Sequence, residues 1–353
     1  MSQKLLVIIL NWNGLSMLRD FLPSVVENTK GKDVGIVLVD NGSTDGSADW
    51  VKDHFPGIGL LCFEKNYGYA GGYDRAIREL NPEYALLLNS DVETPSDWWQ
   101  PLLAFMEKNP DAGAVQPKIL SFKDKENFEH AGAAGGLLDS LGYPYARGRI
   151  FNKVESDKGQ YDGVPHEIAW ASGAAMMVRT KAYIEAGGLD ERFFAHMEEI
   201  DLCWRMRLKG YKIYAVPESK VYHLGGGSLA YGNPRKTYLN FRNNLLMLHK
   251  NLPKKKGRRL LFKRRLMDTL GFSFFLLSGK FGDARAVLRA HRDFRNMRKC
   301  YTDFPDHDIM SQLPGTDKMI YKEIFFNLFK KNDKATKEKD HTSGQDINAD
   351  QPK

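Results

Sequence analysis

A chain of 353 residues that is 42% hydrophobic can bury one large α/β core with an extension, and is too apolar to be mostly disordered. Its three cysteines, Cys62, Cys203 and Cys300, are odd in number and lack CxxC spacing, which argues against a disulfide framework or a zinc site and fits a reducing cytoplasm. The net charge of +7 is uneven: residues 250–300 hold 16 Lys and Arg against 3 Asp and Glu, a local +13, so the remainder is −6 and the two parts face different partners.

Lys4 precedes a short apolar run, Leu5 to Leu10, that stops at Asn11-Trp12-Asn13. This is a poor signal peptide and a good first strand, so no export is expected. Val34 to Val39 is a second β-rich run, and the segment between them, around Leu15 to Glu27, reads as a helix, giving a βαβ unit. The second strand ends in Asp40-Asn41-Gly42-Ser43-Thr44-Asp45-Gly46-Ser47, a turn that can also cap a helix starting near Ala48. A carboxylate at Asp40 can accept hydrogen bonds from a pyrimidine N–H or a ribose hydroxyl, or can simply cap.

A short strand from Gly59 to Phe63 leads into Lys65-Asn66-Tyr67-Gly68-Tyr69-Ala70-Gly71-Gly72, a glycine-rich turn opening a helix. It allows close backbone approach to a ligand but matches neither GxGxxG nor GxxxxGK[ST], which removes the main support for a dinucleotide or P-loop site. Tyr84 to Leu88 then reads as a buried strand stopping at Asn89-Ser90-Asp91-Val92-Glu93. A carboxylate fixed at such a carboxyl edge is a hard-oxygen ligand for Mg²⁺ or Mn²⁺, although the same residues suit an ordinary turn. A helix is expected from Ser96 through Met106.

These segments, Leu10 to Gly14, Val39 to Ser47, Asn66 to Gly72 and Leu88 to Asp91, occur in the order seen in family 2 glycosyltransferases and resemble the rhamnosyltransferase-like branch. The resemblance implies an α/β fold of the GT-A type, a Rossmann-like mixed sheet with a nucleotide-binding half (1–112) and an acceptor half (113–245). It implies nucleotide contacts at Asp40, further donor contacts at Asn11, Asn66, Gly71 and Ser90, and a metal at Asp91. Asn89 stands where a full DxD motif has its first aspartate, so metal binding is carried over to Asp91 alone. Tyr73-Asp74 stands where the branch often has asparagines, and no contact is carried over there.

From Val115 to Gly163 only Gln116 to Ile119 reads as a strand, and the glycine-rich stretch Gly132 to Tyr145 is expected to form flexible loops near an acceptor cleft. Ser172-Gly173-Ala174 precedes another buried strand, and in the similar enzymes this segment lines the sugar cleft, which implies that role for Ser172 and Gly173. Glu198-Glu199-Ile200-Asp201-Leu202-Cys203 resembles the family's E-D-V-D-L-C segment. On a helix Glu198, Asp201 and Arg205 share a face, whereas Glu199 is turned by about 100°. The resemblance makes Glu199 the general base of an inverting displacement, ionised at neutral pH on its reference value, with Glu198, Asp201 and Arg205 supporting it. His223 ends a further strand before Gly225-Gly226-Gly227-Ser228, and by the same resemblance completes the metal shell. Arg242, in Tyr238 to Asn244, is placed to hold a diphosphate in bidentate fashion or to serve as a structural pair.

The basic segment, 246–329, alternates Lys254 to Arg259 and Lys263 to Arg265 with Leu260-Leu261-Phe262, then runs through Phe272, Phe274 and Phe275. The 14 residues between Arg265 and Lys280, Asp268 among them, are too few to span a bilayer, and 254–280 is apt for lying on an anionic membrane surface; a solvated helix pair or a homo-oligomer interface are the other readings. No nucleic-acid-binding pattern accompanies the charge. Residues 330–353 read as a disordered tail. The expected activity is transfer of a sugar, by branch analogy L-rhamnose from dTDP-L-rhamnose, to a hydroxyl of a lipid-linked or cell-envelope saccharide at the cytoplasmic face of the plasma membrane. A nucleotidyltransferase on a similar scaffold and a noncatalytic glycan- or membrane-binding homologue are the alternatives.

Overall fold

The computed structural model describes residues 3–130, 132–150, 153–225 and 233–317. The run 226–228 and the tail from 330 lie outside the described residues. The chain alternates β1 (Leu5–Asn11), α1 (Leu15–Asn28), β2 (Val34–Asp40), α2 (Ser47–His54), β3 (Gly59–Cys62), α3 (Gly68–Leu80) and β4 (Tyr84–Asn89). β1 pairs in parallel with both β2 and β4, and β2 with β3, so the order here is β3-β2-β1-β4. The chain leaves β1 on one side and returns on the other, and the carboxyl ends of these strands flank a crevice where ligands bind in open α/β sheets.

The continuous apolar runs of β1, β2 and β4 are explained by burial on both faces. Leu5, Val7 and Ile9 pack with Leu18, Leu22 and Val25 of α1, whereas Leu6 and Ile8 pack with Tyr73, Ala76 and Ile77 of α3. Beyond β4 come β5 (Val92–Glu93), α4 (Gln100–Lys108) and β6 (Ala112–Ser121). The helix expected from Ser96 thus begins at Gln100. Asp97 has φ +57°, a left-handed conformation that an α-helix excludes, and Trp98, 1% exposed, is buried ahead of the first turn.

The glycine-rich stretch expected as loops, Gly132 to Tyr145, instead supplies β7 (Gly136–Leu138) and the start of β8 (Pro144–Ala146), joined by turns, to a four-stranded antiparallel sheet that β9 (Arg149–Ile150) and β10 (Lys153–Val154) complete. Residues 132–139 are buried, and Trp170 lies so close to Gly136 that a Cβ there would collide with its ring. Small residues serve close packing in this region.

The acceptor half is completed by β11 (His166–Glu167), β12 (Ala175–Arg179), α5 (Thr180–Glu185), a 3₁₀ turn (Glu191–Phe193), α6 (Glu198–Leu208) and β13 (Lys212–His223). β12 runs antiparallel between β4 and β6, and β13 pairs with β6 in parallel, making the large sheet mixed. The ladder of β13 shifts register between Val216 and Lys220, which accommodates Pro217. Helices α7 (Pro234–Asn251), α8 (Lys254–Leu277) and α9 (Phe281–Met297) follow. The boundary expected at 245/246 falls within α7, and one buried cluster takes in Tyr73, Trp204, Leu248, Leu260, Phe294 and Met310. Among the described residues no helix is long and apolar enough to cross a membrane.

Candidate active site

The edge formed by β1, β2 and β4 holds most of the expected donor-side residues. Asn11 and Asp40 face each other across the β1–β2 register, both buried. Asp40 accepts from Ser43 N at 2.9 Å and from Asn11 Nδ2 at 3.3 Å, so the turn after β2 closes on its own carboxylate. Asn11 Oδ1 has no hydrogen-bond partner among the described residues, and the missing side chain of Gly14 leaves room for it. The partly buried Ser90 lies next to Gly14.

Asn66 and Gly71 flank the start of α3. Asn66 Oδ1 accepts from Gly68 N at 2.7 Å and from Asn41 Nδ2 at 3.0 Å, while Asn41 Oδ1 accepts from Tyr67 N. Gly68 has φ +73°, and a Cβ there would strike the ring of Phe194, so glycine is required twice over. Tyr69 OH donates to the carbonyl of Gly173 at 2.7 Å, tying this turn to the Ser172-Gly173 segment. Ser172 is itself set by Gln116, whose Oε1 accepts from Ser172 N.

Asp91 and His223, 132 residues apart in sequence, meet here. Their carboxylate and imidazole are 3.1 Å apart, both buried, and Asn89 Nδ2 lies 3.3 Å from the same His223 Nε2. Behind the ring, Glu129 Oε2 is 3.2 Å from Nδ1. Burial opposes charge on His223, but the Asp91 and Glu129 carboxylates overcome it and raise the imidazole to about 10. Burial would likewise raise Asp91, yet the hydrogen bond and charge of His223 hold it below the usual carboxylate range. Glu129 was not foreseen: it lies in the stretch with no readable motif, and a carboxylate orienting a histidine across the fold leaves no local signal.

A carboxylate oxygen and an imidazole nitrogen this close suit a divalent cation whose other ligands come from a diphosphate and water. Among the described residues no group of three or more His, Cys, Asp or Glu is placed to hold a metal, so the fit is for a partial shell. An ion there must displace the proton of His223, which makes its affinity rise with pH.

The acceptor side is built on the start of α6. Phe194, His196 and Met197 all have positive φ, at 67°, 68° and 74°, an unusual run of strained residues directly before Glu198. Asn243 holds this run by donating to the carbonyls of Phe193, Ala195 and His196 at 2.7–2.9 Å. Arg242 donates to the carbonyls of Arg192 and Phe193, to Tyr238 OH and to Asn243 Oδ1. Its guanidinium is engaged in positioning this loop, so the structural alternative to diphosphate binding is the arrangement seen.

Glu198 is buried and Glu199 partly so; one oxygen of each has no hydrogen-bond partner among the described residues. Burial and the charge of Glu199 push Glu198 well above the usual range, and burial raises Glu199 to about 7. Glu199 is therefore only partly ionised near neutrality and Glu198 is uncharged, unlike the full ionisation that the reference value implies for Glu199. Burial, with smaller contributions from the charges of Tyr73 and both glutamates, pushes the Tyr69 phenol up. Asp201, fully buried, pairs with Arg205 at 2.7 Å and Lys250 at 3.0 Å and accepts from Asn251. It anchors α6 to α7 as a support.

Comparison with known proteins gives this geometry its context. The family described as Glycosyl transferase family 2 matches residues 6–185, half of the chain. An N-acetylglucosaminyl-diphospho-decaprenol L-rhamnosyltransferase of Mycobacterium tuberculosis is 28% identical over 241 residues, 63% of this chain and 76% of that protein. Rhamnosyltransferase WbbL of Escherichia coli is 22% identical over 213 residues, 58% of this chain and 78% of that protein. Among solved structures, Staphylococcus aureus TarS 1–349 in complex with UDP-GlcNAc superposes with a TM-score of 0.54 at 17% identity, covering 83% of this chain and 80% of that one. GalNAc-T7 with UDP, GalNAc and Mn²⁺ superposes at 0.55 and 18% identity, covering 72% and 49%. The fold is GT-A, and the chain belongs to glycosyl transferase family 2, is a glycosyltransferase, and resembles the family's rhamnosyltransferases.

Proposed function

We propose that this glycosyltransferase is metal-dependent and inverting, and moves L-rhamnose from dTDP-L-rhamnose to a hydroxyl of a lipid-linked cell-envelope saccharide. The observation that carries the reading is the buried Asp91–His223 pair at the carboxyl edge of β4, beside which Tyr73 and Tyr69 tie β4 to the Ser172-Gly173 segment. The two rings are 4.7 Å apart, Tyr73 donates to the carbonyl of Leu88, and Tyr69 reaches Gly173. The rhamnose donor is supported by the two rhamnosyltransferase relatives.

In this reading Asp40 and Asn11 receive the nucleotide, and the Asn66 to Gly71 turn and Ser90 line its path. Ser172 and Gly173 bound the sugar. Asp91 and His223 would hold Mg²⁺ or Mn²⁺, which supplies neutralisation of the departing diphosphate. Glu199 takes the proton of the acceptor hydroxyl as the new bond forms on the opposite face of the sugar. Arg242, Asn243 and Asp201 keep the start of α6 in place. The enzyme docks on the cytoplasmic face of the membrane through α8, whose outer face carries the exposed Phe262, Leu266, Leu270 and Leu277 after two turns rich in Lys and Arg.

The test is nucleotide diphosphate release by the purified chain across a panel of UDP-, GDP- and dTDP-sugars, with Mn²⁺ or Mg²⁺. Release from dTDP-rhamnose, abolished by EDTA and by Asp91→Ala, is the expected outcome. Turnover that Asp91→Ala leaves unchanged would sink the site, and release from another donor would replace the sugar.

A further inference from the structure

Helices α7, α8 and α9 and the segment after α9 line an open cavity of about 330 Å³ far along the chain from the catalytic motifs. Lys254, Arg258, Arg265 and Arg298 line it, and no carboxylate does. Two of these cations lie against aromatic rings of the wall: Lys254 over Phe304 and Arg298 over Phe294, each 5.8 Å from the centroid. The carboxylate behind the wall, Asp268, is already engaged by His291 at 3.0 Å and Arg264 at 3.6 Å. A second cavity, of about 920 Å³ and also lined by α8, is different: Lys255, Lys256, Arg259 and Lys263 there face Asp306, Asp308 and Asp317, and Lys256 pairs with Asp308. Only the first has an excess of positive charge with nothing among its lining residues to neutralise it.

Several cations lining one open cavity suit a multiply charged oxyanion. Phe262, 62% exposed, belongs to the cavity and also begins the apolar stripe that continues through Leu266, Leu270 and Leu277. A ligand with a phosphate at one end and hydrocarbon at the other matches both features at once. We propose that this cavity binds the phosphate or diphosphate headgroup of a membrane amphiphile, with its hydrocarbon lying along the outer face of α8. The proposal deepens the docking of α8 set out above and rests on it: general docking draws on every exposed cation, whereas the cavity requires the four that line it. α7 forms one wall through Leu245 and His249 and holds the loop before Glu198 through Arg242 and Asn243, so the two sites share a helix.

Two charge-matched variants of the full chain separate the cases. One carries Lys254→Ala, Arg258→Ala and Arg265→Ala; the other carries Lys255→Ala, Arg259→Ala and Lys263→Ala. All six side chains are exposed, so neither set removes core packing. Co-sedimentation with phosphatidylcholine vesicles, with and without phosphatidic acid, is the measurement. The unaltered chain is expected to prefer the phosphatidic acid vesicles, and the cavity variant to lose roughly tenfold more of that preference than the other. Equal losses would overturn the cavity site while leaving general docking intact. No vesicle binding by the unaltered chain would sink the docking, and the cavity would then be judged by calorimetric titration with inorganic pyrophosphate. Pyrophosphate binding lost only in the cavity variant supports the anion site with a soluble occupant; no binding of either probe overturns it.

Discussion

Adjacent carboxylates at the start of α6 share a buried space, and this sets how Glu199 would work as the proposed base. Burial raises Glu199 to about 7 and, together with the Glu199 charge, Glu198 well above the usual range. A base is useful only when ionised, so at saturating metal kcat/KM should rise with pH through about 7 and level off above it. Glu199→Gln should cost roughly 10²- to 10⁴-fold and remove that limb. Glu198→Gln, an uncharged replacement for an already neutral acid, should keep most of the activity. Initial rates between about pH 5 and 9 decide it, and a Glu198→Gln enzyme as inactive as Glu199→Gln would reverse the assignment. Helical spacing alone separated Glu199 from the face of Glu198, Asp201 and Arg205, but a reference pKa knows nothing of burial. Asp91 and His223 were each legible as strand-end residues, and their partnership only through a family resemblance. Glu129, which orients His223, was not legible at all.

At the scale of elements, the segment from Phe193 to Met197 stores strain that its own residues do not favour, and α7 supplies the restraint. Three left-handed non-glycine residues cost on the order of 1–3 kcal/mol each unless the surroundings hold them. Asn243, fully buried, engages three carbonyls of this segment. Asn243→Ala should therefore misplace Glu199 and lower kcat by roughly 10- to 100-fold. Strands β1, β2 and β4 stand apart from this segment, but the Asn66 to Gly71 turn meets it at Phe194, whose carbonyl accepts from Ala70 N at 3.2 Å, so the donor Kd should weaken by a smaller factor than kcat falls. Separate measurement of turnover and donor binding checks this, and a parallel loss of both would point to general unfolding. Strands were the legible elements because continuous apolar runs report burial on two faces. Loop geometry was less so: Asp97 in a left-handed conformation displaced α4, and the glycines of 132–145, expected in flexible loops, sit buried at close approaches, three of them with positive φ.

For the whole molecule, the sequence places a boundary at 245, where the motifs end and a basic extension follows, and charge marks surface rather than core. Buried residues run without interruption from the α3 side of the large sheet to Leu260 and Phe294. Arg264 ties α8 into this body: 2% exposed, it stacks over Tyr143 at 3.6 Å and reaches Asn244 of α7, the carbonyl of Leu141 and Asp268. Removing it leaves Asp268 buried with fewer partners, a cost of about 3–5 kcal/mol. All six tryptophans, at 12, 50, 98, 99, 170 and 204, lie before position 245, so their fluorescence reports on the catalytic half alone. If the body unfolds as one, Arg264→Ala should lower the Tm seen by tryptophan fluorescence by roughly 5–10 °C. Circular dichroism, dominated by helix, should shift by the same amount. A variant that lowers only the helical signal, with the tryptophan transition unmoved, would make α8 and α9 a separate unit and restore the boundary that the sequence places at 245.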